Sequence, residues 1–393
     1  MARVIPLQLI THGDQVARIC NACRYCEGFC AVFPAMARRR TFSAQDLTFL
    51  AHLCHDCREC LYSCQYAPPH EFGVHVPQLM AAIRRESYAQ FAWPAPLAAL
   101  VPRQWLLFTL AAVVAPVVAW SLVAARATPA ASGAPGSPSA AVAGTALWAT
   151  HTGPGAFYQV VPHDALVGTF IGLSLFVLVA FSIGLVAYWR HTNDTSVPDG
   201  GIAASLAGLR DALTLRYLGS DGTGCAYPDE EASTTRRWFH HLTFYGFMLC
   251  FAATTVAAFY ENVLGWQSPF GWTSLPVILG SVGGAGLLAG PAGLLWLKRA
   301  QPAEAIDAQQ SAMDQSFLLL LLLTALTGFL VLACRDTTAM GTLLALHLGI
   351  VAGLFVTLPY GKFVHAIYRV AALIRDEREK RAASNVQRRR SNV

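Results

Sequence analysis

Cys20-Asn-Ala-Cys23-Arg-Tyr-Cys26-Glu-Gly-Phe-Cys30 and Cys54-His-Asp-Cys57-Arg-Glu-Cys60-Leu-Tyr-Ser-Cys64 are two copies of one pattern, C-x2-C-x2-C-x3-C, separated by 23 residues. Three cysteines at successive short steps wrap three corners of a cubane and leave its fourth iron for a thiolate from elsewhere. In two-cluster ferredoxins that thiolate comes from the other motif. The spacing predicts two 4Fe-4S clusters, one on Cys20, Cys23, Cys26 and Cys64, the other on Cys54, Cys57, Cys60 and Cys30. Zinc sites draw on paired C-x2-C units and have no use for the third closely spaced cysteine. Disulfides do not suit thiols on the reducing side of a membrane. Proline does not follow the fourth cysteine directly: Ala31 and Gln65 stand there, and Pro34 and Pro68 come later.

The segments around the motifs read as helical. Ser43-Ala-Gln-Asp46 has the form of a capping box opening a helix through Leu47, Phe49, Leu50 and Leu53, and a second helix is expected over Val76 to Tyr88. Residues 1–95 thus form a polar cap. Met1 to Arg18 lacks an apolar signal-peptide core and reads as an uncleaved, cytoplasmic start.

Beyond Trp93-Pro94-Ala95-Pro96 the composition changes. The whole chain is 54% hydrophobic and 13% charged, about half the charge of a soluble domain, which argues against a purely soluble globule, a disordered chain or a nucleic-acid binder. Six apolar runs are long enough to cross a bilayer: Trp105 to Ala125, Ala165 to Trp189, Trp238 to Tyr260, Leu275 to Leu297, Phe317 to Cys334, and Gly341 to Val364. Residues 126–164, 261–273 and 335–340 are nearly free of Lys and Arg. Arg210, Arg216, Arg236, Arg237, Lys298 and Arg299 lie in the alternate loops, and a basic tail follows. The positive-inside bias therefore places both termini in the cytoplasm of a bacterial-type inner membrane. The expected domains are 1–95, 96–368 with a flexible external linker at 128–155, and a cytoplasmic tail at 369–393. The fold class is all-α: a helical two-cluster ferredoxin-like domain followed by a six-helix transmembrane bundle. The fourth run contains a chance dinucleotide-like fingerprint at Gly284 to Ala289, and its glycines suit close helix packing.

Histidines in apolar runs are candidate cofactor ligands. His347 and His365 are 18 residues apart, which puts them on one face of an unbroken helix about 27 Å apart. Haem b takes axial imidazoles from facing helices. His240 or His241, at the start of the third crossing, is expected opposite His365, with Arg236, Arg237, Lys362 and Arg369 near the propionates. A second haem would pair His347 with His163. Tyr360 and Lys362 are candidate borders of a quinone pocket. His52, His55, His70 and His75 receive no role.

The run Arg237-Trp-Phe-His240-His241-Leu-Thr-Phe-Tyr-Gly-Phe-Met-Leu-Cys-Phe-Ala-Ala, the phrase Thr327-Gly-Phe and the run Leu358-Pro-Tyr-Gly-Lys362-Phe-Val-His365, with the duplicated cysteines, resemble the tricarballylate utilisation protein B family. The cap is also similar to the ferredoxin domains of succinate dehydrogenase iron-sulfur subunits and heterodisulfide reductases. The last crossing resembles that of the haem subunit of respiratory nitrate reductase, although Cys250 and Phe251 stand where a second partner histidine would be. The first resemblance implies a redox subunit rather than a stand-alone catalyst. Electrons would pass from an FAD-dependent dehydrogenase of tricarballylate, through two 4Fe-4S clusters and haem b, to quinone. The same module resembles part of a cobalamin-pathway synthase, so another flavoprotein remains an alternative, as does disulfide reduction at a cluster. A transporter or sensor is disfavoured by the scarcity of charge and the lack of an inverted repeat.

Overall fold

The cap is built on helices whose ends are set by local chemistry. Helix α1 (Leu7–Cys23) stops where Arg24 turns left-handed and its N–H returns to the Cys20 carbonyl. Short α2 (Val32–Ala37) follows the first cysteine motif. Helix α3 (Ala44–Leu53) opens with the expected capping box: the Ser43 hydroxyl accepts from the Asp46 N–H at 3.2 Å, and the Asp46 carboxylate accepts from the Ser43 N–H at 3.1 Å. The single turn α4 (Glu59–Tyr62) carries Cys60, and α5 (Val76–Phe91) starts with Pro77 in its first turn and the His75 ring accepting from the Gln78 N–H. Val16, Met36, Leu47, Phe49, Leu50, Leu53, Met80 and Ile83 form one buried core beneath the cysteines. The computed structural model describes residues 4–127, 147–193, 197, 201–222, 225–226, 231–302 and 307–391.

Six helices are long and apolar enough to cross a membrane, as the hydropathy predicts. The first comprises α6 (Gln104–Thr109), a π turn at Leu110–Val114 and α7 (Ala115–Ala127). The next is α8 (His163–Thr192). After α9 (Gly201–Leu213) and a two-residue antiparallel ladder of β1 (Cys225–Ala226) with β2 (Ala232–Ser233) come α10 (Thr235–Asn262), α11 (Leu275–Arg299), α12 (Ala308–Ala333) and α13 (Met340–Thr357). Such a set is compatible with a multi-pass membrane protein. Helices α10 and α11 touch along their glycines: a Cβ on Gly246 would stand 2.8 Å from the Gly283 carbonyl oxygen, and one on Gly290 2.5 Å from Thr243 Oγ1. The glycines of the fingerprint at Gly284 to Ala289 serve packing: Gly286 lies against Leu242 and Gly246 of α10, and Gly284 against Phe329 of α12.

The sixth run differs from expectation. It is not one helix from Gly341 to Val364: α13 ends at Thr357, a 3-10 turn covers Leu358–Tyr360, and α14 (Val364–Ser391) begins afresh. Pro359 has no N–H and its ring opposes the preceding turn, while Gly361 adopts extended backbone. The shared helix face for His347 and His365 therefore does not exist. The boundary expected at 368/369 falls within α14, whose later turns pack on the cap. Arg38 pairs with Asp376, and Arg39 bridges Asp46 at 2.8 Å and Glu379 at 3.0 Å. Of the expected linker, residues 128–146 lie outside the described residues. Residues 147–155 are anchored at both ends: Leu147 is buried with Val160, Met340 and Leu344, and the Gly155 N–H donates to the Ser268 carbonyl at 2.9 Å, while Trp148 between them is exposed.

Candidate metal and electron-transfer centre

The thiols sort across the two motifs. Burial, then the neighbouring thiols of Cys26, Cys64 and Cys23, pushes the Cys20 thiol up to about 12. Cys26 rises to about 12 for the same reasons, with Cys64 its foremost thiol neighbour. Cys30, by contrast, interacts with Cys54, and Cys60 with Cys57, Cys30 and Cys54 ahead of Cys26. Cys64 thus faces the first motif and Cys30 the second. Cys20, Cys23, Cys26 and Cys64, together with Cys60 of the second motif, line one small partly open cleft with Ile19, Phe33 and Val74. Among the described residues no three His, Cys, Asp or Glu side chains are grouped to hold a single metal ion. A donor set made of thiols alone fits a sulfur-bridged cluster.

The backbone carries the same signature. Four described non-glycine residues have positive φ, and three lie inside the cysteine motifs: Arg24 at 57°, Asp56 at 54° and Arg58 at 66°. Each such residue costs on the order of 1–3 kcal/mol and is held by its surroundings. Here the left-handed turns bring cysteines from successive short steps to one side.

The second motif rests on the membrane helices. Cys57 packs with Leu297 of α11 and Phe239 of α10, and buried Arg58 donates to Gln301 at 2.8 Å. Arg84 of α5, also buried, donates to the carbonyls of Ala51 at 3.0 Å and Cys54 at 2.8 Å. Arg369 of α14 donates to Leu53 and Cys54 and meets the His55 ring, and Arg236 of α10 donates to His55 and Asp56.

Beyond this contact the His240 and His365 rings stand 6.2 Å apart between centroids, at 81°. His365 Nδ1 lies 2.7 Å from the Lys362 carbonyl, a partner that makes this nitrogen the donor and leaves Nε2 as the ligating atom. His240 Nδ1 and His241 Nδ1 are both buried and unpartnered, but only the His240 ring faces His365. His241 turns away to stack on Tyr245 at 5.6 Å. An imidazole nitrogen sits about 2 Å from a first-row metal, so two rings on opposite sides of one iron have centroids on the order of 6 Å apart. The His240/His365 centroid separation meets that distance.

The cations expected at haem propionates hold protein groups instead. Arg236 and Arg369 hold the cysteine loop, Arg237 donates to the Thr214 carbonyl at 2.9 Å, and Lys362 joins Lys298 on Asp314 at 2.7 and 2.9 Å. Tyr360 is likewise committed, its hydroxyl donating to the Trp93 carbonyl at 2.9 Å. A small apolar cleft lies nearby, lined by Gln104, Phe108, Ser316, Phe317, Leu354 and Phe363, and the buried Ser316 hydroxyl has no partner. At the other end of the bundle His347 and His163 are not brought together. His347 Nδ1 lies 2.9 Å from the Thr327 hydroxyl, and His163 packs edge-on against Tyr158.

The match to the family of citrate utilization protein B covers residues 114–386, and that to its Fer4-like domain covers residues 13–90. The chain belongs to the citrate utilization protein B family. Citrate utilization protein B of Escherichia coli is 46% identical over 369 residues, covering 94% of this chain and 92% of that protein. No solved structure matches the chain. The Fer4-like segment contains all eight clustered cysteines, which gives this family member an iron-sulfur electron-transfer role. The other segment contains His240, His241, His347 and His365. The tricarballylate resemblance thus holds at the level of the family and leaves the acid open.

Sequence reasoning missed α1, α9, the break at Pro359 and the arginines that join cap to bundle. A signal for the last was present: Arg236 precedes His240 by four residues, and Arg369 follows His365 by four.

Proposed function

We propose that this chain carries electrons from a reduced FAD-dependent dehydrogenase to membrane quinone, with two 4Fe-4S clusters and one haem b as its one-electron carriers. One observation carries the reading: the Cys54 to Cys57 loop lies on the ends of α10 and α14, beside the His240/His365 ring pair. These groups supply single-electron steps, which a flavin's two-electron chemistry requires and which no side chain here provides.

The residues divide the remaining work. Cys20, Cys23, Cys26 and Cys64 would hold the outer cluster, close to exposed Tyr25 and Phe72, where a flavoprotein has access. Cys54, Cys57, Cys60 and Cys30 would hold the inner one, and the low exposure of Cys54 and Cys57 keeps water from it. His240 and His365 would hold the haem iron. Asp314, clamped between Lys298 and Lys362, fixes the Gly361 to Phe363 connection and so the carbonyl that orients His365. The apolar cleft beside Phe363 is the proposed quinone contact, where the unpartnered Ser316 hydroxyl would donate to a carbonyl oxygen. The cap adjoins the helix ends that carry Arg236, Lys298 and Arg299, so cap and termini are assigned to the cytoplasmic side. Tricarballylate, from the sequence resemblance, is the proposed acid of the partner; citrate, from the relative's name, is the competitor in the same assay.

Iron, acid-labile sulfide and pyridine-haemochrome assays on the purified protein should return about eight cluster irons and one haem b per chain. Zinc without sulfide would refute the cluster assignment, and absence of porphyrin would refute the axial pair.

A further inference from the structure

Arg236 and Arg369 occupy mirrored positions. One lies four residues before His240 on α10, the other four after His365 on α14. Residues four apart share a helix face one turn apart. Both guanidiniums reach the same piece of cap backbone. Arg369 takes the carbonyls of Leu53 at 3.0 Å and Cys54 at 3.2 Å, and Arg236 those of His55 at 3.0 Å and Asp56 at 2.7 Å. The four carbonyls are consecutive and lie at and just beyond the end of α3, where the last turn leaves oxygens without helical partners. They run from the residue before one expected ligand, Cys54, to the residue before the next, Cys57.

Resting on the cluster and haem reading above, we propose that Arg236 and Arg369 form a paired strap that fixes the Cys54 to Cys57 loop over the His240/His365 pair. The strap sets the spacing between the inner cluster and the haem and supplies the positive charge beside the cluster thiolates. Arginine suits the role because its planar fork serves two carbonyls at once and stays charged. Arg84 adds a third guanidinium on the Cys54 carbonyl from the cap side. A cluster held by four thiolates is anionic, and nearby positive charge and hydrogen bonding raise its reduction potential. The strap therefore distinguishes the inner cluster from the outer one, which has no such contact with α10 or α14 among the described residues. These two are positioning residues, since they act through the loop backbone.

The test is an anaerobic EPR redox titration of the full-length protein in detergent or nanodiscs, together with the rate at which haem absorbance develops after a reducing pulse. Arg369→Gln and Arg236→Gln should each retain iron, sulfide and haem, lower the midpoint of one cluster signal while leaving the other, and slow haem reduction about tenfold or more, the usual scale for a lost outer-shell partner. Arg369→Lys keeps the charge but cannot span two carbonyls, so it should recover most of the midpoint and little of the rate. If Arg369→Gln does not assemble, Arg369→Lys and Arg236→Gln carry the test. Loaded variants with wild-type midpoints and rates would overturn the strap alone. A wild-type protein without sulfide or haem would overturn the reading beneath it.

Discussion

The two ends of the helical bundle start from similar sequence and reach different chemistry. Each end has a histidine near the last crossing and another at the start of an earlier helix: His365 with His240 at the cap end, His347 with His163 at the other. At the cap end the rings face each other at 6.2 Å, and His365 is oriented by a backbone carbonyl. At the far end His347 is satisfied by a threonine and His163 by a tyrosine ring and Asp164. An intramembrane histidine becomes a ligand candidate when the fold supplies an opposing ring, and here one ring of the pair, His365, also has a carbonyl partner that fixes its tautomer. Without an opposing ring a histidine serves helix packing.

The sharpest break in this comparison is mutational. His365→Ala or His240→Ala should abolish the haem b absorbance, whereas His347→Ala, His163→Ala and His241→Ala should each leave it, as read by pyridine haemochrome. A loss in His347→Ala would show that the far end also binds haem. Next in size is the cross-motif exchange: Cys30→Ser should remove the cluster signal of the second motif, and Cys64→Ser that of the first, with haem content unchanged in both. EPR of the reduced proteins checks which signal disappears.

A smaller effect is expected where α10 meets α11. Gly290→Val would force the Thr243 turn outward and shift the helix carrying His240, so haem occupancy and melting temperature should both fall, at about 1–3 kcal/mol for overpacking. The same substitution at Gly168, which has nothing within 4 Å, should be silent. The smallest effect is at the cap. Although burial alone would raise it, the Ser43 and Arg39 hydrogen bonds hold the Asp46 carboxyl below the usual carboxylate range. Its stabilising contribution is therefore present above the unfolded value, near 4, and is lost as pH falls through the lower folded value. Ser43→Ala should cost about 1 kcal/mol, measured as a shift in cap melting at neutral pH.

Much of this was legible in the residues. The doubled cysteine spacing announced a thiol centre because ligands at short fixed steps have few structural uses. The six crossings stood out because apolar length is a one-dimensional property. The capping box at Ser43 is a local hydrogen-bond pattern and appeared as read. What failed was non-local or depended on one residue: Pro359 broke the helix that the His347 to His365 spacing assumed. The choice between His240 and His241 depended on which ring the packing of α10 turned toward α14. Arg236 and Arg369 were expected to meet propionates because charge near a haem site reads that way. Their spacing of four from His240 and His365 puts both on the histidine faces, but their backbone partners come from another domain, and spacing does not name those carbonyls.

The central claim is that the cysteine loop is the entrance to the His240/His365 site. Its most direct test is stopped-flow reduction of the haem by a reduced flavin donor in the wild type and in Cys54→Ser, with haem content matched. The account predicts prompt reduction in the wild type and a haem that stays oxidised in the variant. Equal rates in the two proteins would contradict it.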